Sequence, residues 1–137
     1  MKLQRKKKTE TTNKKVRNAT PTEYDGIKFR SKLEVTTYKL FKEAGIDANY
    51  EQEKFILVPA FSFMGVKIRQ MTWTPDFTYK NFIIECKGYG NDSWPMKEKL
   101  AKYHIYKNNL DLSFHVVHNQ KEIKELIELI TKHTTIS

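Results

Sequence analysis

The sequence predicts an α/β domain in which helices flank a mixed β-sheet on both sides, as a three-layer arrangement. Apolar residues recur at helical spacing in three segments, approximately 32–44, 95–108 and 121–132. Short runs rich in Phe, Ile, Leu and Val lie between them, at 54–63, 66–73, 82–87 and 112–118. A hairpin followed by a strand–helix–strand unit within 137 residues is typical of one such domain.

Most of the positive charge lies at the start of the chain. Residues 1–17 contain eight Lys or Arg and one Glu, a net charge of +7, and residues 18–137 contain 17 basic and 15 acidic residues, a net charge of +2. We therefore expect a disordered basic arm over residues 1–20 and a folded domain over 21–137. Composition leaves two interpretations of the arm open, a solubilising tail or a phosphate-binding segment that uses Lys6, Lys7 and Lys8.

The first predicted helix runs from Lys32 to Ala44. Ser31 is a suitable N-cap, and Gly45 is a suitable C-terminal stop. Apolar spacing predicts that its buried face carries Leu33, Thr37, Leu40, Phe41 and Ala44.

The two strands that follow are predicted to form a hairpin around Met64-Gly65. After a short strand that ends in Glu85-Cys86-Lys87, Pro95 opens the second helix, on which Met96, Leu100, Tyr103 and Lys107 are expected to share one side. The last helix places Ile123, Leu126, Ile127 and Ile130 on one face.

Several classes of protein are excluded by composition. The longest apolar stretch, residues 55–66, is shorter than the roughly 20 residues that a membrane-spanning helix requires, so no membrane partner is expected. A single cysteine, Cys86, excludes a disulfide framework and a zinc ribbon, and is typical of a reducing, cytoplasmic environment. No glycine-rich phosphate loop is present, so we expect no nucleotide or other small-molecule cofactor.

Acidic and basic residues converge near the third predicted strand. Asp76 follows Pro75 at the end of the second strand of the predicted hairpin. Nine residues later, Glu85 and Lys87 lie two residues apart, so that they share one face of the next strand while Cys86 points to the other. Two carboxylates beside a lysine suit Mg²⁺ or Mn²⁺, which prefer hard oxygen ligands. The alternative is an exposed Glu–Lys pair on an edge strand beside an ordinary Pro-Asp turn.

These residues resemble the signature of the PD-(D/E)XK, or restriction-endonuclease-like, nuclease superfamily. The resemblance covers about residues 24–118 and is strongest with small phage-encoded nuclease-like proteins, some of which are Holliday junction resolvases. The segments that carry it are Phe29-Arg30-Ser31-Lys32-Leu33-Glu34, Thr74-Pro75-Asp76-Phe77, Ile83-Ile84-Glu85-Cys86-Lys87-Gly88 and Lys97-Glu98-Lys99-Leu100. The resemblance implies a core with the element order α-β-β-β-α-β.

The resemblance also implies roles for individual residues. Asp76 and Glu85 would bind Mg²⁺ or Mn²⁺, with the main-chain carbonyl of Cys86 as a further ligand. Lys87 would orient or activate the attacking water, and Glu34 would reach the metal or its water. Gln52 occupies a position that is often polar near such sites.

Glu34 has a second interpretation. Ser31-Lys32-Leu33-Glu34 fits a capping box, in which the Glu34 carboxylate accepts a hydrogen bond from the Ser31 amide. Since Glu34 also lies at the border of the predicted buried face, the sequence allows both a capping and a catalytic role.

Two groups of basic residues are candidates for phosphate contacts beside the site. They are Lys28, Arg30 and Lys32 before the first helix, and Lys97, Lys99 and Lys102 on the second. Each of these residues is equally compatible with an ordinary solvated surface. Trp73 and Trp94 are interpreted as core residues.

The sequence therefore predicts a metal-dependent DNA endonuclease of the cytoplasm of a bacterial or phage-infected cell. If its substrate is a four-way junction, the two-fold symmetry of that junction predicts a homodimer. The alternatives are a DNA-binding module of the same fold without catalysis, and an RNA-binding protein that uses the basic arm and the aromatic residues.

Overall fold

The structure is a computed structural model that describes residues 21–88 and 94–136. Within those residues the chain is a mixed α/β protein with three helices and ten short strands. The helices are α1 (Lys32–Glu43), α2 (Trp94–Lys107) and α3 (Gln120–Ile136). The strands are β1 (Thr22–Tyr24), β2 (Ile27–Phe29), β3 (Asn49–Tyr50), β4 (Phe55–Val58), β5 (Phe61–Phe63), β6 (Val66–Ile68), β7 (Met71–Trp73), β8 (Phe77–Tyr79), β9 (Phe82–Cys86) and β10 (Ser113–Val117).

The main sheet is mixed and has the strand order β10-β9-β8-β3. Strands β9 and β10 are parallel and are connected through α2, whereas β8 pairs antiparallel with both β9 and β3. The predicted mixed sheet is thus confirmed, but two of its four strands, β3 and β8, were not predicted. They have only two and three residues, which is too short for an apolar pattern to indicate a strand.

The two strands predicted over 54–63 and 66–73 do form a hairpin, but it lies outside the main sheet. Its base is the pair β4–β7 and its outer part is the pair β5–β6, each a separate two-stranded sheet. The prediction of two continuous strands was wrong because the pairing is irregular after Ile56 and Pro59 supplies no amide hydrogen. The turn was predicted correctly, since Met64 and Gly65 both adopt positive φ, 52° and 81°.

Side chains alternate across β9 and separate two hydrophobic clusters. Phe82, Ile84 and Cys86 pack with residues of α1 and α3, while Ile83 packs with Trp73 and with Ala101 of α2. Helices therefore lie on both faces of the main sheet. Of the helices in the described part of the chain, none has the length and apolar character needed to cross a bilayer.

The buried face of α1 is rotated from the predicted one. Glu34, Val35, Thr37, Tyr38 and Phe41 are buried, whereas Ala44 is exposed and Leu33 and Leu40 are only half-buried. The prediction was wrong because it admitted only apolar and small residues to that face. The residues predicted to start and stop the helix are confirmed. The Ser31 side chain accepts a hydrogen bond from the Glu34 amide, and Gly45 adopts φ 77°.

The side of α2 predicted to carry Met96, Leu100, Tyr103 and Lys107 is not the side that packs against the sheet. Met96 and Tyr103 are exposed, and Ala101 is the buried residue. A small side chain allows close packing of the helix on the sheet, and it carries almost no hydropathy signal. The face predicted for α3 is confirmed, since Ile123, Leu126 and Ile130 are buried and Ile127 packs against them.

Candidate functional site

Four predicted site residues, Glu34, Asp76, Glu85 and Lys87, line one open cavity of about 320 Å³, which we call the carboxylate cavity. They come from α1, from the residue before β8, from β9 and from the residue after β9. The complete lining is Arg30, Glu34, Glu51, Thr72, Trp73, Thr74, Asp76, Glu85, Lys87, Trp94 and Lys97.

Asp76 and Glu85 face each other across the hairpin that β8 and β9 form. The register pairs Phe77 with Ile84, so extending it by one residue places Asp76 opposite Glu85. Directly opposed like charges are unfavourable in an antiparallel pair. Asp76 therefore directly precedes a strand of the main sheet, β8, and the prediction that it ends the preceding hairpin was wrong.

Both carboxylates are buried, with 8% of Asp76 and 3% of Glu85 exposed. Burial, followed by repulsion from Glu85 and Glu34, raises the pKa of Asp76 to about 8. Burial also raises the pKa of Glu85, against the lowering effects of a hydrogen bond from Trp73 and the charge of Lys87. Near neutral pH the pair thus favours holding a proton or another cation between its oxygens.

One oxygen of each carboxylate is held by a hydrogen bond. The amide of Cys86 donates to Oδ2 of Asp76 at 2.8 Å, and the indole of Trp73 donates to Oε2 of Glu85 at 2.6 Å. Because the N–H and C=O of one strand residue point to the same side, the Cys86 carbonyl also points toward the Asp76 edge of β9. These contacts fix the direction of both carboxylates. The other oxygen of each, Oδ1 of Asp76 and Oε1 of Glu85, takes no part in these two hydrogen bonds.

The Cys86 side chain lies on the other face of β9, as predicted. Its thiol packs in the core and is 3.3 Å from Oγ1 of Thr37. Burial raises the pKa of the thiol well above its usual value, so that it remains protonated. The side chain therefore contributes packing, and only the main chain of Cys86 faces the site.

Lys87 lies beside the carboxylate pair. Its Nζ is 3.9 Å from Oε1 of Glu85 and 4.3 Å from the centre of the Trp94 ring. Stacking on an aromatic ring limits the positions that a flexible lysine samples. Trp73 is in the core, as predicted, whereas Trp94 is only half-buried and is part of the cavity wall.

Glu34 is also buried and lines the carboxylate cavity. Its Oε1 accepts hydrogen bonds from the Arg30 amide at 2.8 Å and from the Tyr50 hydroxyl at 2.7 Å. The Ser31 hydroxyl caps the helix at the Glu34 amide, but the carboxylate bonds the Arg30 amide instead of the Ser31 amide, so the capping-box prediction was half right. Glu34 is tied to the helix terminus and faces the cavity at the same time.

Three residues of the site were not identified from the sequence. Tyr50 holds Glu34, Trp73 holds Glu85, and the amide of Glu51 donates to the Asp76 carbonyl at 2.9 Å. A buried indole usually finds a hydrogen-bond acceptor, so Trp73 carried a usable signal. Tyr50 carried none, because its position depends on pairing with the distant β8.

The predicted phosphate-binding residues are distributed unevenly. Arg30 and Lys97 line the carboxylate cavity, with the Arg30 side chain 2.7 Å from Glu51. Lys102 pairs with Glu98 at 2.8 Å, and Lys28, Lys32 and Lys99 are exposed outside the cavity lining. Gln52 is likewise exposed and outside it. Lys6, Lys7 and Lys8 lie outside the described residues.

The cavity does not present a ready-made set of three metal-binding side chains. Among the described residues, no group of three or more His, Cys, Asp or Glu side chains is arranged to hold a metal ion. Asp76, Glu85 and the Cys86 main chain instead form a smaller set of oxygen donors. Such a set fits Mg²⁺, which takes one or two carboxylates and retains several waters.

Comparison with known proteins places the chain in a family. Residues 13–124, well over half of the chain, match the family described as "Protein of unknown function (DUF1064)". The chain therefore belongs to the DUF1064 family. No curated protein and no solved structure matches it.

Proposed function

We propose that this member of the DUF1064 family is a metal-dependent DNA endonuclease of the PD-(D/E)XK type. The observation that carries the proposal is the pair of buried, opposed carboxylates, Asp76 and Glu85, with Lys87 beside them in an open cavity. Ordinary folding gives no reason to bury two like charges face to face, because their desolvation is costly. A function that neutralises them with a divalent cation gives that reason.

The order of elements supports the same proposal. Leaving out the β4–β7 hairpin, and the final helix α3 that lies beyond the resemblance, the helices and the main-sheet strands run α1-β3-β8-β9-α2-β10. This is the α-β-β-β-α-β order that the PD-(D/E)XK resemblance implies. We therefore propose that the main sheet and its helices form a restriction-endonuclease-like core into which the hairpin is inserted.

Asp76 and Glu85 would hold Mg²⁺ or Mn²⁺, with the Cys86 carbonyl as a third donor. The cation would supply a water of lowered pKa and stabilise charge on the phosphate. Lys87, fixed between Glu85 and Trp94, orients that water or offsets the charge that develops on the phosphate oxygens. Glu34, held by Tyr50 and the Arg30 amide, presents its carboxylate to the same cavity.

Lys97 and Arg30 on the cavity wall would contact the phosphates that flank the scissile bond. The Arg30–Glu51 pair is no obstacle, since a solvent-exposed ion pair contributes little and exchanges readily with a phosphate. DNA is thus the proposed partner, and a divalent cation is the cofactor.

The test is hydrolysis of plasmid, single-stranded and four-way-junction DNA in Mg²⁺, Mn²⁺ or EDTA. We expect cleavage that requires the metal, and a loss of about 100-fold or more in Asp76→Asn and Lys87→Ala, because each removes a group that acts directly on the reaction. Matched controls are Asp111→Asn and Lys80→Ala, which change an exposed acid and a lysine that stacks on Tyr79 outside the cavity.

Cleavage by Asp76→Asn and Lys87→Ala at the parent rate would reject the proposed site.

One observation favours the main alternative, a DNA-binding module of this fold without catalysis. Among the described residues, no group of three side chains is arranged to bind a metal ion. That alternative predicts DNA binding in EDTA and no cleavage in any metal. Binding of RNA in preference to DNA, unaffected by Asp76→Asn, would favour the RNA-binding alternative.

A further inference from the structure

The β5–β6 ribbon exposes an apolar face. Phe61 pairs with Ile68 and Phe63 pairs with Val66, and directly paired residues point to the same face of a sheet. These four side chains form what we call the apolar ribbon face. They are 48%, 37%, 60% and 60% exposed, respectively, and Met64 at the turn is 86% exposed. An exposed apolar face of this kind typically marks a binding surface.

The charge of the ribbon indicates what kind of partner it fits. Between residues 54 and 75 there are three basic residues, Lys54, Lys67 and Arg69, and no acidic one. Lys67 pairs with Ser62 and therefore lies on the face opposite the apolar ribbon face. Because β6 pairs with no strand other than β5 in the described part of the chain, the long Lys67 side chain can reach around that edge. A partner that presents both negative charge and flat apolar surfaces satisfies the two features together, and DNA with unpaired bases is such a partner.

Other occupants fit less well. A second copy of this chain would bring two cationic ribbons together without any acidic residue on either to pair with them. Residues 1–20 contain eight basic residues and no aromatic residue, so they do not supply a matching apolar segment. Charge complementarity thus favours a nucleic acid over another protein surface.

The ribbon is directly connected to the carboxylate cavity. Thr72 and Trp73 of β7 line the cavity, and β7 and its partner β4 lead outward into β6 and β5. At roughly 3.3 Å per residue, the turn at Met64 lies no more than about 26 Å along the chain from Thr72. A DNA molecule held at the cavity therefore lies within reach of the ribbon.

We propose that the apolar ribbon face stacks against unpaired bases, so that the preferred substrate is duplex DNA interrupted by single-stranded bases rather than intact duplex. This inference rests on the proposed nuclease function and names the substrate class of that site. Phe61 and Phe63 lie two residues apart on one face, a spacing of about 7 Å, which is twice the roughly 3.5 Å of a stacking contact. One base fits between rings at that spacing, while Lys67 and Arg69, which flank Ile68 and lie on the opposite face, attract the phosphates that pass the edge of β6.

The test measures binding in EDTA, where hydrolysis does not interfere. The probes are an intact duplex and the same duplex with a short single-stranded gap that contains 2-aminopurine, whose fluorescence falls when it stacks. The variant is Phe61→Leu/Phe63→Leu, which keeps the apolar surface and removes the rings. Tyr103→Leu, which removes a ring of similar exposure on α2, 54%, is the matched control.

We expect the double variant to bind gapped DNA about tenfold or more weakly, to lose the 2-aminopurine quenching, and to bind intact duplex as the parent does. Unchanged binding of gapped DNA, or an equal loss on both probes, would overturn the proposal. So would sedimentation showing that Phe61→Ser/Phe63→Ser converts a dimer into a monomer, because the face would then be an interface between copies. Metal-dependent hydrolysis by the parent is scored separately, so failure of the stacking proposal and failure of the nuclease proposal are distinguishable.

Discussion

The carboxylate cavity and the β5–β6 ribbon depart from ordinary burial in opposite directions. The cavity buries three acids that water would solvate, Glu34, Asp76 and Glu85, while the ribbon exposes apolar side chains that a core would bury. The cavity is held by hydrogen bonds from Trp73, Tyr50 and the Cys86 amide, whereas the ribbon is a two-stranded sheet that pairs with no third strand in the described part of the chain.

The difference agrees with the two roles proposed for these regions. A rigid, desolvated group of charges suits chemistry, because its dipoles and charges need little rearrangement during a reaction. An exposed ribbon suits recognition, because an isolated two-stranded sheet is only marginally stable and gains from a partner. Strands β4 and β7 join the two regions, so recognition and chemistry would be coupled through a few residues.

Of the substitutions in the carboxylate cavity and the ribbon, Asp76→Asn is expected to have the largest effect on stability. The pKa of Asp76 is about 8 in the folded protein and near 3.8 when unfolded, so between these pH values the folded state holds a proton that the unfolded state has released. Stability of the parent therefore falls as pH rises from about 4 to 8. The variant lacks this loss, and we expect it to be more stable at pH 8 by about 2 kcal/mol in EDTA.

Urea unfolding of parent and Asp76→Asn at pH 5 and pH 8 measures this difference. We expect the gap between the two proteins to widen toward pH 8 in EDTA and to shrink when Mg²⁺ is added, since a bound cation stabilises only the parent's ionised pair. A variant less stable than the parent at pH 8 in EDTA would show that the buried acid stabilises the fold. The carboxylate cavity would then be no departure from ordinary burial, and its contrast with the ribbon would disappear.

Sequence patterns predicted the residues that line the cavity better than the elements that surround them. Asp76, Glu85 and Lys87 are close together in sequence, so the alternation along one strand and the adjacency of two strands were enough to predict that they converge. Glu34 was placed at the border of the buried face, and the structure buries it. Tyr50 was missed because its strand of two residues exists only through pairing with β8.

The sequence predicted one of the hairpin turns and missed two others. Met64-Gly65 was identified as a hairpin turn, yet Asp25-Gly26, which carries the stronger signal, was not used, and the β1–β2 hairpin around it was missed. The turn between β8 and β9 contains Lys80 at φ 53° and no glycine, so it lacks the glycine that is typical of a two-residue hairpin turn. Omitting that turn is what placed Asp76 at the end of the wrong strand.

An intermediate effect is expected from two substitutions that separate the catalytic role proposed for Glu34 from its role at the start of the helix. Tyr50→Phe removes one hydrogen bond to the Glu34 carboxylate and leaves the helix cap intact. Ser31→Ala removes the cap and leaves the Tyr50 contact intact. We expect Tyr50→Phe to lower kcat for DNA hydrolysis about tenfold and Ser31→Ala to lower the free energy of unfolding by about 1 kcal/mol with kcat unchanged.

Steady-state cleavage and thermal unfolding of both variants measure this separation. The helix cap alone would explain Glu34 if Tyr50→Phe cleaved DNA at the parent rate. In that case the cavity would depend on Asp76, Glu85 and Lys87, and Glu34 would belong to the fold.

The smallest effect on the free energy of unfolding is expected from a substitution on the ribbon. Phe63→Ser removes a ring that is 60% exposed, and we expect the free energy of unfolding to change by less than about 0.5 kcal/mol. The matched change in the core, Phe77→Ala, removes a fully buried ring and is expected to cost about 3–5 kcal/mol. If Phe63→Ser destabilised the chain by a comparable amount in urea, the apolar ribbon face would be covered in solution, and packing rather than DNA binding would account for its composition.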